Sequence, residues 1–146
     1  MAESGIEAGV IATLLAQSKI TNLTSTRIYP GDQYPQGSAF PVIMVARQST
    51  PSRRLHMGGK LSFIEANVQV RCFAKDTTSV DGYATAKNVA DEVASQLNGL
   101  KGTSGGYDFR GTYSVGESDV TEFPLSGSDQ RVYWVGSDWR ILYKDP

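Results

Sequence analysis

The sequence predicts an α+β domain, with two helices packed on one face of a mainly antiparallel four-stranded sheet in the order helix, hairpin, helix, hairpin. Three observations carry this. Two segments place apolar residues at helical spacing, one near the N-terminus and one between Asp76 and Leu97. Four other segments are extended, apolar or alternating. Nothing helical lies between the two members of either strand pair, so each pair reads as a hairpin, and two amphipathic helices suffice to cover one face of the resulting sheet.

The first helix opens on an S-x-x-E capping box, Ser4 and Glu7, which offers partners to the free amides of a helix start. Ile6, Val10, Ile11, Leu14 and Leu15 follow as one stripe. Lys19–Thr26 is polar, with Ile20 and Leu23 tucking back onto the core. Arg27–Gly31 is a short extended piece ended by Pro30-Gly31, and Gly31–Ser38 is turn-rich loop. Phe40–Gln48 reads as a strand, with Pro41 near its start as a strand permits. Leu61–Ala74 is the clearest signal. Ile64, Ala66, Val68, Val70, Cys72 and Ala74 alternate with polar neighbours, so one face is buried and the other is wet or meets a partner.

Residues Asp76–Ser79 offer several N-caps for a second helix to about Leu97, with Tyr83, Ala86, Ala90, Val93 and Leu97 on its stripe. Asn98-Gly99 stops it, since glycine accepts the left-handed conformation that ends many helices. Gly102–Gly106 reads as a flexible turn. Tyr107, Phe109, Tyr113 and Val115 share a face of the next strand, and Tyr133, Val135, Trp139, Ile141 and Tyr143 share a face of the last, Gln130–Lys144. No internal repeat or linker interrupts the 146 residues, which fit one domain over 1–146.

Composition narrows the function classes. A formal net charge of -1 implies no bulk attraction to nucleic acid or to an anionic membrane. The single cysteine, Cys72, makes no internal disulfide and points to no oxidising compartment. The only apolar run near the N-terminus, Val10–Ala16, is too short to cross a bilayer, and no basic segment of a signal peptide precedes it, so export by a signal peptide is not expected.

Catalysis requires a nucleophile, a base and a group that orients them. His56 is the only histidine and sits between Arg54 and Met57, away from any carboxylate cluster, where a solvated or interface role is expected. Cys72 falls on the buried parity of its strand, where burial raises a thiol pKa and a free cysteine acts as a small hydrophobe. Glu117, Asp119 and Glu122 lack the D-x-D-x-D-G spacing of a calcium loop, and no ligand-spaced His or Cys accompanies them. Gly99–Gly106 lacks the G-K-[ST] ending of a phosphate loop and follows a helix instead of a strand. Arg53 and Arg54 have no row of aromatics beside them for stacking single strands, so partner contact is the expected use. No catalytic residue, cofactor or metal is expected. Ser49–Lys60 and Glu117–Asp129 read as long connections of opposite charge, the kind of complementary pair a head-to-tail interface needs; two ordinary solvated loops would read the same way.

An ordered series of segments resembles the tail completion family of long-tailed phages, also called tail-to-head joining or tail terminator-like proteins. It comprises the N-terminal apolar helix, Arg27-Ile28-Tyr29-Pro30-Gly31, the strand Phe40-Pro41-Val42-Ile43-Met44-Val45, and the long strand Ala66–Lys75. The helix Ala86–Val93 running into Leu97–Gly102 and the closing Arg131–Val135 and Trp139–Tyr143 complete it. The resemblance covers nearly the whole chain, although Glu117–Ser128 is longer than the family pattern leads one to expect. It implies a non-catalytic virion protein of the tail or neck, assembled in the host cytoplasm. Its expected form is a homo-oligomer, a six-fold ring that ends the tail tube and joins it to the head connector. The implied partners are the tail tube protein and the head–tail connector protein, with genomic DNA passing through the lumen without specific binding, and no membrane. The interface residues expected on this reading are Arg53, Arg54, His56, Glu117, Asp119 and Glu122. A neck or minor capsid assembly subunit is the alternative within assembly, and a small hydrolase or a nucleic-acid-binding module the alternative outside it.

Overall fold

A computed structural model describes residues 5–31, 39–55, 61–76, 81–122 and 132–144; within its strands the side chains at 49–55, 61–63 and 120–122 are outside that description. In chain order the elements are α1 (Ile6–Leu15), α2 (Ser18–Thr24), β1 (Ile28–Pro30), β2 (Val42–Leu55), β3 (Leu61–Lys75), α3 (Gly82–Leu97), β4 (Gly102–Ser104), β5 (Tyr107–Glu122) and β6 (Val132–Lys144). The strands form one sheet in the order β1-β2-β3-β6-β5-β4, parallel between β1 and β2 and antiparallel elsewhere.

The expected four-stranded antiparallel sheet with two helices is therefore corrected to a six-stranded mixed sheet with three helices among the described residues, more than half of which are strand. The four long strands and two long helices are where periodicity put them. The additions are short. β1 and β4 have three residues each, too few to show a period, and α2 has seven. β1 is legible as an extended piece but not as a sheet member, because it is joined to its parallel partner by a long connection and not by a hairpin turn that would announce the pairing. The two supposed long connections both begin as strand: β2 runs on to Leu55 and β5 to Glu122, and residues 56–60 and 123–129 lie outside the described residues.

The sheet curls around its helices. α1 contacts β1 and β2 at one flank of the sheet and β4 at the other. The hydroxyls of Thr13 on α1 and Ser104 on β4 are 2.6 Å apart, and the β4–β5 turn comes so close that a Cβ on Gly105 would stand 2.8 Å from the Cα of Gly9. Both edges thus reach one helix, which a flat sheet does not allow. Inside the curl lies the core: Ile6, Val10 and Leu14 of α1, Ile20 of α2, Ala86, Val89, Val93 and Leu97 of α3, and the inward residues of the sheet. Every inward residue of β3 from Ile64 to Ala74 is buried, as the alternation predicts.

Three local expectations change. α1 starts after Gly5, which caps it without a side-chain bond, and Ser4 lies outside the described residues. The N-cap of α3 is Asp81, whose carboxylate accepts from the Ala84 amide, while Asp76 accepts from the Gly82 amide at 2.7 Å. Tyr83 is exposed instead of joining the buried stripe. The parity read for β5 also fails past Phe109. Irregularities between Phe109 and Gly111 and between Ser114 and Gly116 each insert a residue, and an inserted residue exchanges the two faces. Phe109 and Thr112 are buried, whereas Tyr113 and Val115 are among the most exposed large side chains.

The face turned away from the helices carries its own smaller cluster. Val42, Met44, Phe73 and Val132 are buried there, with Tyr29, Phe40 and Trp134 packed against them. The Arg71 guanidinium lies 5.5 Å from the ring centres of both Phe73 and Trp134, a cation–π arrangement that lets a charged strand residue cover apolar surface.

Candidate assembly interface

β5 outruns its outer neighbour. β4 pairs only with Tyr107, Asp108 and Phe109, so from Gly111 to Glu122 no strand among the described residues lies on that side of β5. β2 is similar: β1 pairs with Ile43, Met44 and Val45, and among the described residues Ala46–Leu55 has only β3 beside it. Unpaired strand edges present a row of amides and carbonyls ready to receive another strand.

The acidic residues sit on the β5 edge. Register places Glu117 in one row with Ser137, Val70 and Val45, and Asp119 in one row with Val135, Cys72 and Ile43. Those rows face the helices, and α3 brings Tyr83 and Lys87, one helical turn apart, over them. The Lys87 ammonium donates to Glu117 at 2.8 Å and lies 3.9 Å from Asp119, and the Tyr83 hydroxyl donates to Asp119 at 2.9 Å. Hydrogen bonding to Glu117 holds the Lys87 pKa above its ordinary value, and hydrogen bonding to Asp119 does the same for Tyr83. Both groups remain solvated, so this is a surface latch between helix and strand. The sequence reading names Tyr83 only as a member of the helix's apolar stripe and does not single out Lys87. The available signal was their i, i+4 spacing on one helix face opposite two carboxylates two residues apart on one strand face.

Arg53 and Arg54 lie toward the other end of the molecule, on β2, where they pair with Ile64 and Phe63 of β3. The basic and acidic groups are therefore not brought together within one subunit. From the Ile64 row to the Val70 row is six residues of β3, about 20 Å at strand rise. Glu122 pairs with Val132 at the far end of β5, and His56 lies outside the described residues.

Burial pushes the Cys72 thiol up, with the Glu117 charge adding to it, so thiolate formation is suppressed. Among the described residues no three His, Cys, Asp or Glu side chains gather as a ligand set, and no helix is long and apolar enough to cross a membrane. Among the described residues, Gln48, Asn67, Val115, Asp138 and Arg140 line an open groove of about 270 Å³.

A family model described as "Tail completion protein gp17" matches residues 8–143. The chain belongs to the tail completion family. It is a structural protein of the virion, in the tail or neck, and such a place implies association with other tail or head proteins. Comparison with curated proteins finds no match. Among solved structures, a chain from the "Virion of native gene transfer agent (GTA) particle" superposes with a TM-score of 0.60 at 19% identity, covering 94% of each chain. That likeness carries the fold: the curled sheet and its helices are shared with a chain of that particle.

Proposed function

We propose that this tail completion protein forms a closed ring at the head-proximal end of the tail, where it ends the tail tube and joins it to the head connector without catalysis. The family match over nearly the whole chain carries this reading. Arg53, Arg54 and His56 on one side and Glu117, Asp119 and Glu122 on the other form its interface between subunits. The arrangement supports a head-to-tail contact, because Arg53 and Arg54 stand on one flank of the sheet and Glu117, Asp119 and Glu122 on the other, separated along the strands as well. Six copies are expected in the ring, with the tail tube protein on one side, the connector on the other and genomic DNA passing through without sequence-specific contacts.

Charge reversal tests it. Arg53→Glu/Arg54→Glu leaves the circular dichroism of the subunit unchanged but weakens the ring, each exposed pair contributing only about 0.2–1 kcal/mol yet recurring at every interface. The loss grows as salt is lowered, because screening then falls. Sedimentation at low and high salt reads the effect. Unchanged ring mass together with unchanged joining of heads to tails would remove these arginines from the interface, and a tail without a ring of this chain would remove the ring itself.

A further inference from the structure

Among the described residues no strand covers β2 beyond Val45 or β5 beyond Gly111, and these two edges have a partner chemistry of their own. Beyond Val45 the β2 edge carries Arg47, Arg53 and Arg54 and no acid; beyond Gly111 the β5 edge carries Glu117, Asp119 and Glu122 and no base. We infer that the β5 edge of one subunit pairs with the β2 edge of the next, so that the ring is held by a sheet continuous across subunits; this rests on the ring reading above.

Strand direction agrees. β2, β3, β6 and β5 are linked by three antiparallel steps, so β2 and β5 run in opposite senses within a subunit. Rotation about a ring axis preserves those senses, and the β5 edge meets the neighbour's β2 as an antiparallel pair. β5 is also regular where it must be, with unbroken register from Gly116 to Glu122.

The offset between charges agrees as well. Without stagger, Glu117 would oppose the neighbour's Val45, since both lie in the Val70 row, and Arg53 would fall about 20 Å away. A sheet closes on itself only with tilted strands, about 35–45° in barrels, and tilt staggers the register. Four strand spacings of about 4.8 Å, multiplied by the tangent of that tilt and divided by about 3.3 Å per residue, give a stagger of about four to six residues per subunit. Glu117 and Arg53 are six rows apart. The opposite sense of tilt would set Glu117 against residues before Val42, where β2 has not begun. Closure and the pairing of Glu117 with Arg53 therefore ask for the same displacement.

Amide hydrogen exchange, read by mass spectrometry on the free subunit and on tails that carry it, tests the pairing. Edge-pointing amides between Gly116 and Glu122 exchange roughly tenfold or more slowly in the assembled state. Cysteine pairs then identify the strand. Ser118→Cys is combined in turn with Ser49→Cys, Ser52→Cys and Leu55→Cys; oxidation yields a ladder of covalent multimers, strongest for the pair with Ser52→Cys, and none from the single variants, Cys72 being buried. A ring whose β5 amides exchange as in the free subunit overturns the pairing and leaves the ring reading intact. Protection with no ladder from any pair means that another strand covers the edge, and also overturns it. Tails that hold no ring of this chain refute the ring reading itself.

Discussion

Replacing Val70 by Asp tests the architecture at its centre. Val70 has no exposed surface and lies on the helix-facing side of β3, between Val45 of β2 and Ser137 of β6 in register. Burying a valine side chain contributes about 1.5–3 kcal/mol, so Val70→Ala should cost about 1–3 kcal/mol once the residual cavity is included. At about 2–4 °C per kcal/mol for a chain near this length, that lowers the melting temperature by roughly 2–12 °C. Val70→Asp adds an unpaired carboxylate in the same space and should exceed about 4–5 kcal/mol, a large part of the roughly 5–15 kcal/mol that holds a typical domain folded. Gln69→Asp, one residue along and on the opposite face, should stay within about 0.5 kcal/mol. Urea unfolding followed by circular dichroism and tryptophan fluorescence gives all three values. If Val70→Asp and Gln69→Asp had similar midpoints, the assignment of faces on β3 would be wrong, and with it the placing of Glu117 and Asp119 under α3.

Other expectations follow from single contacts. Ser137→Ala strands the buried Trp139 indole N–H, which donates to the Ser137 hydroxyl at 2.8 Å, and should cost about 1–3 kcal/mol in a urea melt, with a shifted tryptophan emission. Gly105→Ala should cost about 2–4 kcal/mol, because its φ of +60° disfavours a side chain and the new Cβ meets α1; Gly106→Ala, at φ +85° with open space around it, should cost about 1 kcal/mol. The latch has a pH dependence of definite sign. Lys87 and Tyr83 both have raised folded-state pKa values, so their contribution is complete below their unfolded values and fades as pH rises through the folded ones, which exchange of the β5 amides at alkaline pH would register.

How far the sequence reveals this molecule depends on the length over which a pattern persists. β3 repeats its alternation from Ile64 to Ala74, and its buried face was legible residue by residue. β1 and β4 are too short to repeat anything, yet they turn an antiparallel sheet into a mixed one and mark where each edge becomes free. In β5 the pattern is present but broken by two inserted residues, and reading straight through them put Tyr113 and Val115 on the wrong face. The acidic group suffered the same way. Glu117, Asp119 and Glu122 looked like a solvated loop because charge and Ser suggest one, whereas they stand on the edge of a long strand. The cysteine was easier, since parity alone placed it inside, and the structure adds the Glu117 charge to burial as a cause of its raised pKa.

The latch and the proposed interface compete for the same carboxylates, and that competition gives the last prediction. Within the subunit, Lys87 bridges Glu117 and Asp119 and ties β5 to α3. If a neighbour's Arg53 and Arg54 approach the same pair, Lys87 must either share the acids or release them. Replacing it with the near-isosteric, uncharged Met removes the internal competitor and leaves two uncompensated negative charges on the edge. The subunit should then lose some anchoring of β5, seen as faster exchange of its amides in the free chain. The ring should become easier to form, because an arginine from the neighbour now meets a stronger negative field, and it should become more sensitive to salt for the same reason. The two readouts move in opposite directions: weaker latch, stronger assembly. Sedimentation of Lys87→Met beside the parent at low and high salt measures the second, and the Arg53→Glu/Arg54→Glu change in the Lys87→Met chain should abolish the gain. A ring that weakens together with the latch would mean that Lys87 supports assembly by holding β5 in shape, and that the acids of β5 do not receive the arginines.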